Sequence, residues 1–272
     1  MSDQHHLPRI GLALSGGAAR GYAHIGVLEV MERAGISFSC IAGTSVGSIV
    51  GALLAAGFDT QRMKQIAGDL KWQRLVSPTL SGRGLVSARK LELFMSELLG
   101  DVTFTDLRIP FRAVATDLAR AEEVIFSEGA VAAAVRASCS VPGIFEPIID
   151  EDRAQALVDG GVLNNLPSQL VREMGADVVV AVDLNSQRPD TEIPVNLLDV
   201  TFRSFALLLD RTSEEGRAGA DLVIRPDLNR FSYHELSHAD EMIRRGAEAA
   251  EAQLETIRAI ISGRRGAPAA NR

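Results

Sequence analysis

The sequence predicts a single α/β domain with parallel strands, and three observations carry that expectation. Residues 37–57 hold a short apolar run, Phe38 to Ala42, then Gly43-Thr44-Ser45-Val46-Gly47, then a small-residue apolar run closing at Gly57: strand, tight turn, helix. A matching unit precedes it, with an apolar strand Ile10 to Leu14, a glycine-rich loop Ser15 to Gly21, and a helix through Ile25, Val27, Leu28, Val30 and Met31 that stops at Gly35. Short apolar runs go on alternating with helix-period segments down the chain, the pattern of strand–helix crossovers. A chain of 272 residues can bury a substantial core as one such domain. It is expected to span residues 7–262, with a disordered tail over 263–272 rich in Gly, Pro, Ala and Arg.

The later elements follow in order. Asp59 or Thr60 can cap a helix reaching about Leu70. Residues 73–86 read as irregular, with Pro78, Gly82 and Gly84 among Leu75, Val76, Leu80 and Leu85; a loop this long and apolar is either functional or a surface loop packed on its own side chains. Ser87 caps a helix ending at Gly100. Phe111 to Asp117 and Glu123 to Phe126 form a hairpin, followed by a short helix Ala130 to Ala137. Ala156 to Asp159 is a strand ending in the turn Asp159-Gly160-Gly161. Helix Ser168 to Met174 and strand Asp177 to Asp183 complete another unit. Residues 194–218 read as mostly helical, Asp221 to Arg225 as a strand, and 239–262 as a long helix with Met242, Ile243, Ala250, Leu254, Ile257 and Ile261 at helical spacing.

Composition removes several function classes. A net charge of −7 lacks the basic excess of a general nucleic-acid binder, and it gives no overall attraction to anionic lipid, so membrane contact would rest on apolar side chains. The opening Met-Ser-Asp-Gln-His-His-Leu-Pro-Arg has no apolar core like that of a secretory signal, and no apolar stretch approaches the roughly 20 residues that span a bilayer. Cys40 and Cys139 lie in apolar surroundings and read as free thiols in a reducing cytoplasm. No Cys/His cluster has metal-ligand spacing, and no cofactor is expected.

The chemistry centres on Ser45. Gly43 and Gly47 flank it as Gly-x-Ser-x-Gly, the elbow that lifts a nucleophilic hydroxyl above a sheet edge at a helix N-terminus. The competing reading is an ordinary helix N-cap. The loop at Gly16, Gly17, Ala18 and Gly21 turns several backbone N–H groups toward one point. It has the glycine spacing of a P-loop, but Tyr22 replaces the lysine and Ala23 the Ser/Thr, and Ala18 breaks the dinucleotide pattern. An oxyanion hole on the sheet edge that carries Ser45 fits better. The base is open at this point. His234 and His238 have the right chain order, His24 belongs to the helix after the loop, and His5 and His6 lie near the N-terminus. Asp159, Asp117 and Asp183 all follow strands; any of them would need its pKa raised from about 3.9 to serve near neutrality.

Four stretches, taken together, resemble the patatin-like phospholipases, particularly their small bacterial members. They are Leu14 to Leu28, Gly43 to Ser48, Ala137 to Pro147, and Asp159-Gly160-Gly161, within residues 10–185. The resemblance implies a three-layer α/β/α sandwich around a mostly parallel sheet. It also implies a Ser45–Asp159 dyad without a catalytic histidine, oxyanion donors from Gly16, Gly17 and Ala18, and support of that loop by Arg20. The reaction implied is hydrolysis of a fatty-acyl ester or lysophospholipid by a cytoplasmic enzyme, with peripheral contact at the inner membrane face. Alanine stands where the family has its third glycine; at negative φ it is harmless, and at positive φ it is strained. The alternative is an inactive scaffold of the same fold that binds lipid or a protein partner.

Overall fold

The computed structural model describes residues 8–185, 193 and 195–264. In chain order the elements are β1 (Ile10–Leu14), α1 (Tyr22–Arg33), β2 (Cys40–Thr44), α2 (Val46–Ala55), α3 (Thr60–Gly68), α4 (Trp72–Leu75), β3 (Ser77–Pro78), β4 (Val86–Ser87), α5 (Arg89–Leu99), β5 (Phe111–Asp117), β6 (Glu122–Phe126), α6 (Val131–Ser138), β7 (Ile148–Asp150), β8 (Gln155–Asp159), α7 (Ser168–Glu173), β9 (Val178–Val182), α8 (Leu197–Thr212), α9 (Glu214–Gly219), β10 (Leu222–Ile224) and α10 (Ala239–Arg264). The end of the expected tail, 265–272, lies outside the described residues, as do His5 and His6; Gly263 and Arg264 are the last turn of α10.

Eight strands form one sheet in the order β10-β9-β1-β2-β5-β8-β7, with β6 also paired to β5. The run from β10 to β5 is parallel, and β6, β7 and β8 pair antiparallel. Alternate strand residues enter opposite layers, because side chains on a strand alternate between its faces. Leu12, Leu14, Ile41, Val178, Val180 and Val182 pack beneath α1, α2, α3, α5 and α10. Ala13, Cys40, Ala42, Val179 and Ala181 pack beneath α7, through Leu170 and Val171. This is the three-layer α/β/α sandwich with a mostly parallel sheet. The helix stops and starts have local causes: Asp59 accepts from the Arg62 N–H at 2.7 Å at the start of α3, and Gly35 and Gly100 hold φ of 70° and 77° after α1 and α5.

Two differences from the sequence reading matter for the site. The second strand runs two residues later than Phe38–Ala42, because pairing with β1 sets its register from Gly11↔Cys40 to Leu14↔Gly43, so Ser45 directly follows the strand. The antiparallel pair β7–β8 is also longer than the single strand expected at 156–159, since Ile148 to Asp150 supplies a partner. One consequence sits on β5. Residues 113–117 pair with β6 on one edge, so β2, opposite residues 111–114, and β8, opposite 115–117, must share the other. Their C-terminal ends meet head to head. Among the described residues no helix is long and apolar enough to cross a membrane.

Candidate active site

Ser45 sits between the end of β2 and the start of α2 with φ 53° and ψ −126°, a conformation that disfavours a residue bearing a Cβ. It holds the N-cap position, but its side chain makes no cap hydrogen bond. The flanking glycines are required by close approach: a Cβ at Gly43 would lie 2.4 Å from the Gly47 carbonyl oxygen, and one at Gly47 2.3 Å from that of Leu14. The Ser45 N–H donates to Ser138 Oγ at 2.8 Å, and Ser138 Oγ donates to the Val114 carbonyl at 2.6 Å. The Ser45 carbonyl accepts the Ser48 hydroxyl at 2.6 Å. The elbow is therefore held through the N–H and carbonyl of Ser45 by two neighbouring serine hydroxyls, and its own hydroxyl is left for other work.

Asp159 ends β8 and is fully buried. Its Oδ1 accepts the Gly161 N–H at 2.8 Å from the short turn Gly160–Val162, while Oδ2 has no partner in hydrogen-bonding geometry. Burial raises its pKa to about 7, against the pull of the Ser45 hydroxyl and the Gly161 amide. The strand-end rivals are committed elsewhere. Asp117 lies 2.6 Å from Arg120; although desolvation pushes its pKa up, Arg120 and two backbone amides hold it below the usual carboxylate range. Asp183 is paired with Arg217 at 2.6 Å.

The histidines have other neighbours. His24 is buried in α1, its Nε2–H donating to the Ser15 carbonyl at 2.9 Å, and burial lowers its pKa to about 4. His234 faces Ser232 and packs 5.5 Å from Phe202, and His238 packs 5.8 Å from Phe231.

The glycine-rich loop is tied from several directions. The Gly16 N–H is taken by Asn165, at 3.0 Å to Oδ1 and 3.3 Å to the carbonyl. The Ala19 N–H donates to the Tyr233 carbonyl at 3.0 Å. Among the described residues, the N–H groups of Gly17 and Ala18 make no hydrogen bond. Ala18 has φ 49°, so this alanine is in the strained case. Gly21 lets α1 start against Val46 of the elbow helix. Arg20 is buried; its Nε and Nη2 donate to the Phe231 carbonyl at 3.0 and 2.7 Å, and its guanidinium lies 3.9 Å over the Tyr233 ring. Asn185 donates to the Gly16 carbonyl at 2.7 Å and accepts from the Tyr233 hydroxyl at 3.3 Å.

Sequence reasoning did not find Ser138, Asn165, Asn185 or Tyr233 as supporting residues. The signal for the asparagines is faint: Asn165 is buried and shares its side chain between Gly16 and Ser213, yet in sequence it looks like any turn residue.

A cavity of about 140 Å³ has Ser45 and Ala18 in its wall. It runs between α1, α2, α3 and α5, walled by residues such as Ile49, Leu53, Met63, Leu70, Phe94 and Leu236, with scarcely any polar lining. Cys139 lines it beside Ser45; both cysteines are free, and burial pushes both thiols up. No group of His, Cys, Asp and Glu among the described residues could hold a metal ion. A buried serine, an adjacent carboxylate of raised pKa and two unbonded N–H groups at the mouth of an apolar slot can together do acyl-transfer chemistry on a substrate with an aliphatic tail.

The profile of the patatin-like phospholipases matches residues 12–171. An uncharacterized NTE family protein of Mycobacterium tuberculosis is 39% identical over 184 residues, covering 65% of this chain and 49% of its own length. The Drosophila melanogaster neuropathy target esterase sws is 34% identical over 190 residues, 68% of this chain and 13% of that protein. The chain thus spans about half the length of the mycobacterial relative and a small part of the fly esterase. Among solved structures, VipD from Legionella pneumophila aligns with a TM-score of 0.65 at 14% identity, over 92% of this chain and 67% of that one. Human GIVD cytosolic phospholipase A2, bound to methyl gamma-linolenyl fluorophosphonate, aligns with a TM-score of 0.53 at 12% identity, over 97% and 60%. At these identities the likeness is one of fold.

Proposed function

We propose that this chain, which belongs to the patatin-like phospholipase family, is a serine acyl hydrolase of the lipase or lysophospholipase type, with Ser45 as nucleophile and Asp159 as general base. One observation carries the reading: Ser45, which lines an apolar cavity, interacts with the buried carboxyl of Asp159, whose Oδ2 has no other partner. The fatty-acyl chain of an ester or lysophospholipid enters the cavity, which places its carbonyl carbon at Ser45. Asp159 Oδ2 takes the Ser45 proton as Oγ attacks that carbon. The oxyanion forms against the free N–H groups of Gly17 and Ala18 and the N-terminus of α2. Collapse of the tetrahedral intermediate breaks the ester C–O bond, and Asp159 returns the proton to the leaving alcohol. Water, deprotonated by the same carboxylate, then attacks the acyl-serine and releases the fatty acid.

A carboxylate alone suffices as base because burial has already brought its pKa to about 7, near the optimum for proton transfer at neutrality. The test is labelling with a fluorophosphonate and mass mapping of the adduct. The expected result is modification of Ser45 that is lost in Asp159→Ala. Labelling that survives Asp159→Ala but fails in His234→Ala or His238→Ala would replace the dyad with a histidine mechanism. The strain at Ala18 favours a second reading, a scaffold that keeps the fold without turnover; an unlabelled Ser45 together with saturable acyl-lipid binding would select it.

A further inference from the structure

Between β3 and β4, residues 79–85 form a hairpin tip that carries a fully exposed Leu80 and a half-exposed Leu85. The base of the hairpin is fixed to the rim of the acyl cavity. The N–H groups of Leu85 and Val86 donate to the Ile144 carbonyl at 3.0 Å, and the Glu146 N–H donates to that of Val86 at 2.9 Å. Phe145 and Val141 of that rim line the cavity, as does Leu75 just before the hairpin, whereas Leu80 and Leu85 do not.

The stretch of sequence that carries this tip is basic, against the charge of the whole chain. From Leu70 to Leu91 the charged residues are Lys71, Arg74, Arg83, Arg89 and Lys90, with no acid among them, in a protein of net charge −7. Arg74 pairs with Glu97 at 3.8 Å, and Lys90 donates to the Gln73 carbonyl at 3.0 Å. Among the described residues, the side chains of Lys71, Arg83 and Arg89 have no ion pair or hydrogen bond; on α10, by contrast, Arg244, Arg245 and Arg258 all pair with glutamates. Glu146, the acid at the hairpin base, is held by the Thr79 hydroxyl at 2.8 Å. The overall charge of −7 gives no attraction to anionic lipid, whereas this stretch by itself is positive.

We propose that this hairpin docks the mouth of the cavity on a bilayer containing anionic lipid. Leu80 enters the acyl region, and Arg83 and Arg89 sit at the level of the phosphates. An apolar tip flanked by unpaired cations provides the two weak signals, insertion and charge, that together give stable peripheral binding. The inference rests on the hydrolase reading for its purpose, because docking brings a lipid ester to Ser45, but its test does not depend on turnover.

The experiment is flotation of the Ser45→Ala chain with vesicles of pure phosphatidylcholine and of an equal phosphatidylcholine–phosphatidylglycerol mixture. Binding is expected on the mixed vesicles and not on the neutral ones, weakening as salt is added. Arg83→Gln and Arg89→Gln should each weaken it about fivefold, and Leu80→Ser about tenfold. In the wild-type background these variants should hydrolyse a short soluble ester at the unaltered rate. Absence of binding to the mixed vesicles, equal binding to both, or a concentration-dependent dimer that Leu80→Ser abolishes would each overturn the docking proposal. Binding as expected by a chain inert toward soluble esters would leave docking standing and remove the hydrolase reading.

Discussion

Thr44 and Asp159 lie against consecutive residues on one edge of β5, Thr44 opposite Val114 and Asp159 opposite Ala115. The parallel strand ends where the antiparallel one ends, so the elbow serine and the carboxylate are brought together by backbone register. Their separation is set by ladder hydrogen bonds rather than by loop conformation, which suits a pair that must meet within hydrogen-bonding reach.

The pH dependence follows from Asp159. In the proposed role of base it must be ionised, so kcat/KM is expected to rise about tenfold per pH unit below 7 and level off above it. The stability effect has the opposite direction. With the folded pKa raised to about 7 from 3.8, the native state holds a proton that the unfolded chain has lost, so stability is full below about pH 4 and falls as pH rises to 7. Asp159→Asn should abolish that fall, giving a protein with at least about a thousandfold less activity but about 2–4 kcal/mol more stable at pH 8. Thermal denaturation of both proteins at pH 4 and pH 8 checks this; parallel pH dependences would contradict it.

At Ser45 the backbone strain can be separated from the chemistry. Ser45→Ala keeps a Cβ at φ 53° and should leave stability nearly unchanged, whereas Ser45→Gly should be about 1–2 kcal/mol more stable. Both should lose ester turnover. Denaturant midpoints of the two variants supply the comparison.

Ala18→Gly relieves φ 49° in the glycine loop and should stabilise the fold by up to about 1 kcal/mol, the glycine's extra unfolded-state freedom offsetting part of the gain. Turnover should be retained or increased, since the Ala18 N–H stays where it is. A loss of more than tenfold in kcat would show that the alanine is needed as it stands.

The far end of the cavity, at Ala67, Leu70 and Leu236, is also the wall of an open groove between α3 and the start of α10. Ala67→Trp should fill that end and depress hydrolysis of long-chain esters more than tenfold relative to short ones, with an overpacking cost of about 1–3 kcal/mol. A chain-length series on both proteins measures it.

What the sequence revealed and what it hid divide along physical lines. The elbow was legible because Gly43 and Gly47 are forced by backbone contacts closer than a methyl group allows, and such glycines keep a fixed spacing from the residue they expose. The turn at Asp159 was visible as Asp-Gly-Gly. Its rivals Asp117 and Asp183 looked equivalent until their arginine partners, one local and one on α9, were in place. The cavity was not legible, since its lining is ordinary core composition drawn from several helices and loops. Nor was the tether between Arg20 and Phe231, whose partners are far apart in sequence and follow no periodicity.

That tether bears on how the protein is made. On the ribosome, Ser45, Asp159 and the glycine loop all emerge well before Phe231 and Tyr233, whose carbonyls hold Arg20 and Ala19. A half-made chain would carry both reactive groups but not the brace that sets the loop. A chain cut between Asp159 and Phe231 keeps the serine, the carboxylate and the loop residues, and loses both carbonyls that hold Arg20 and Ala19 in place.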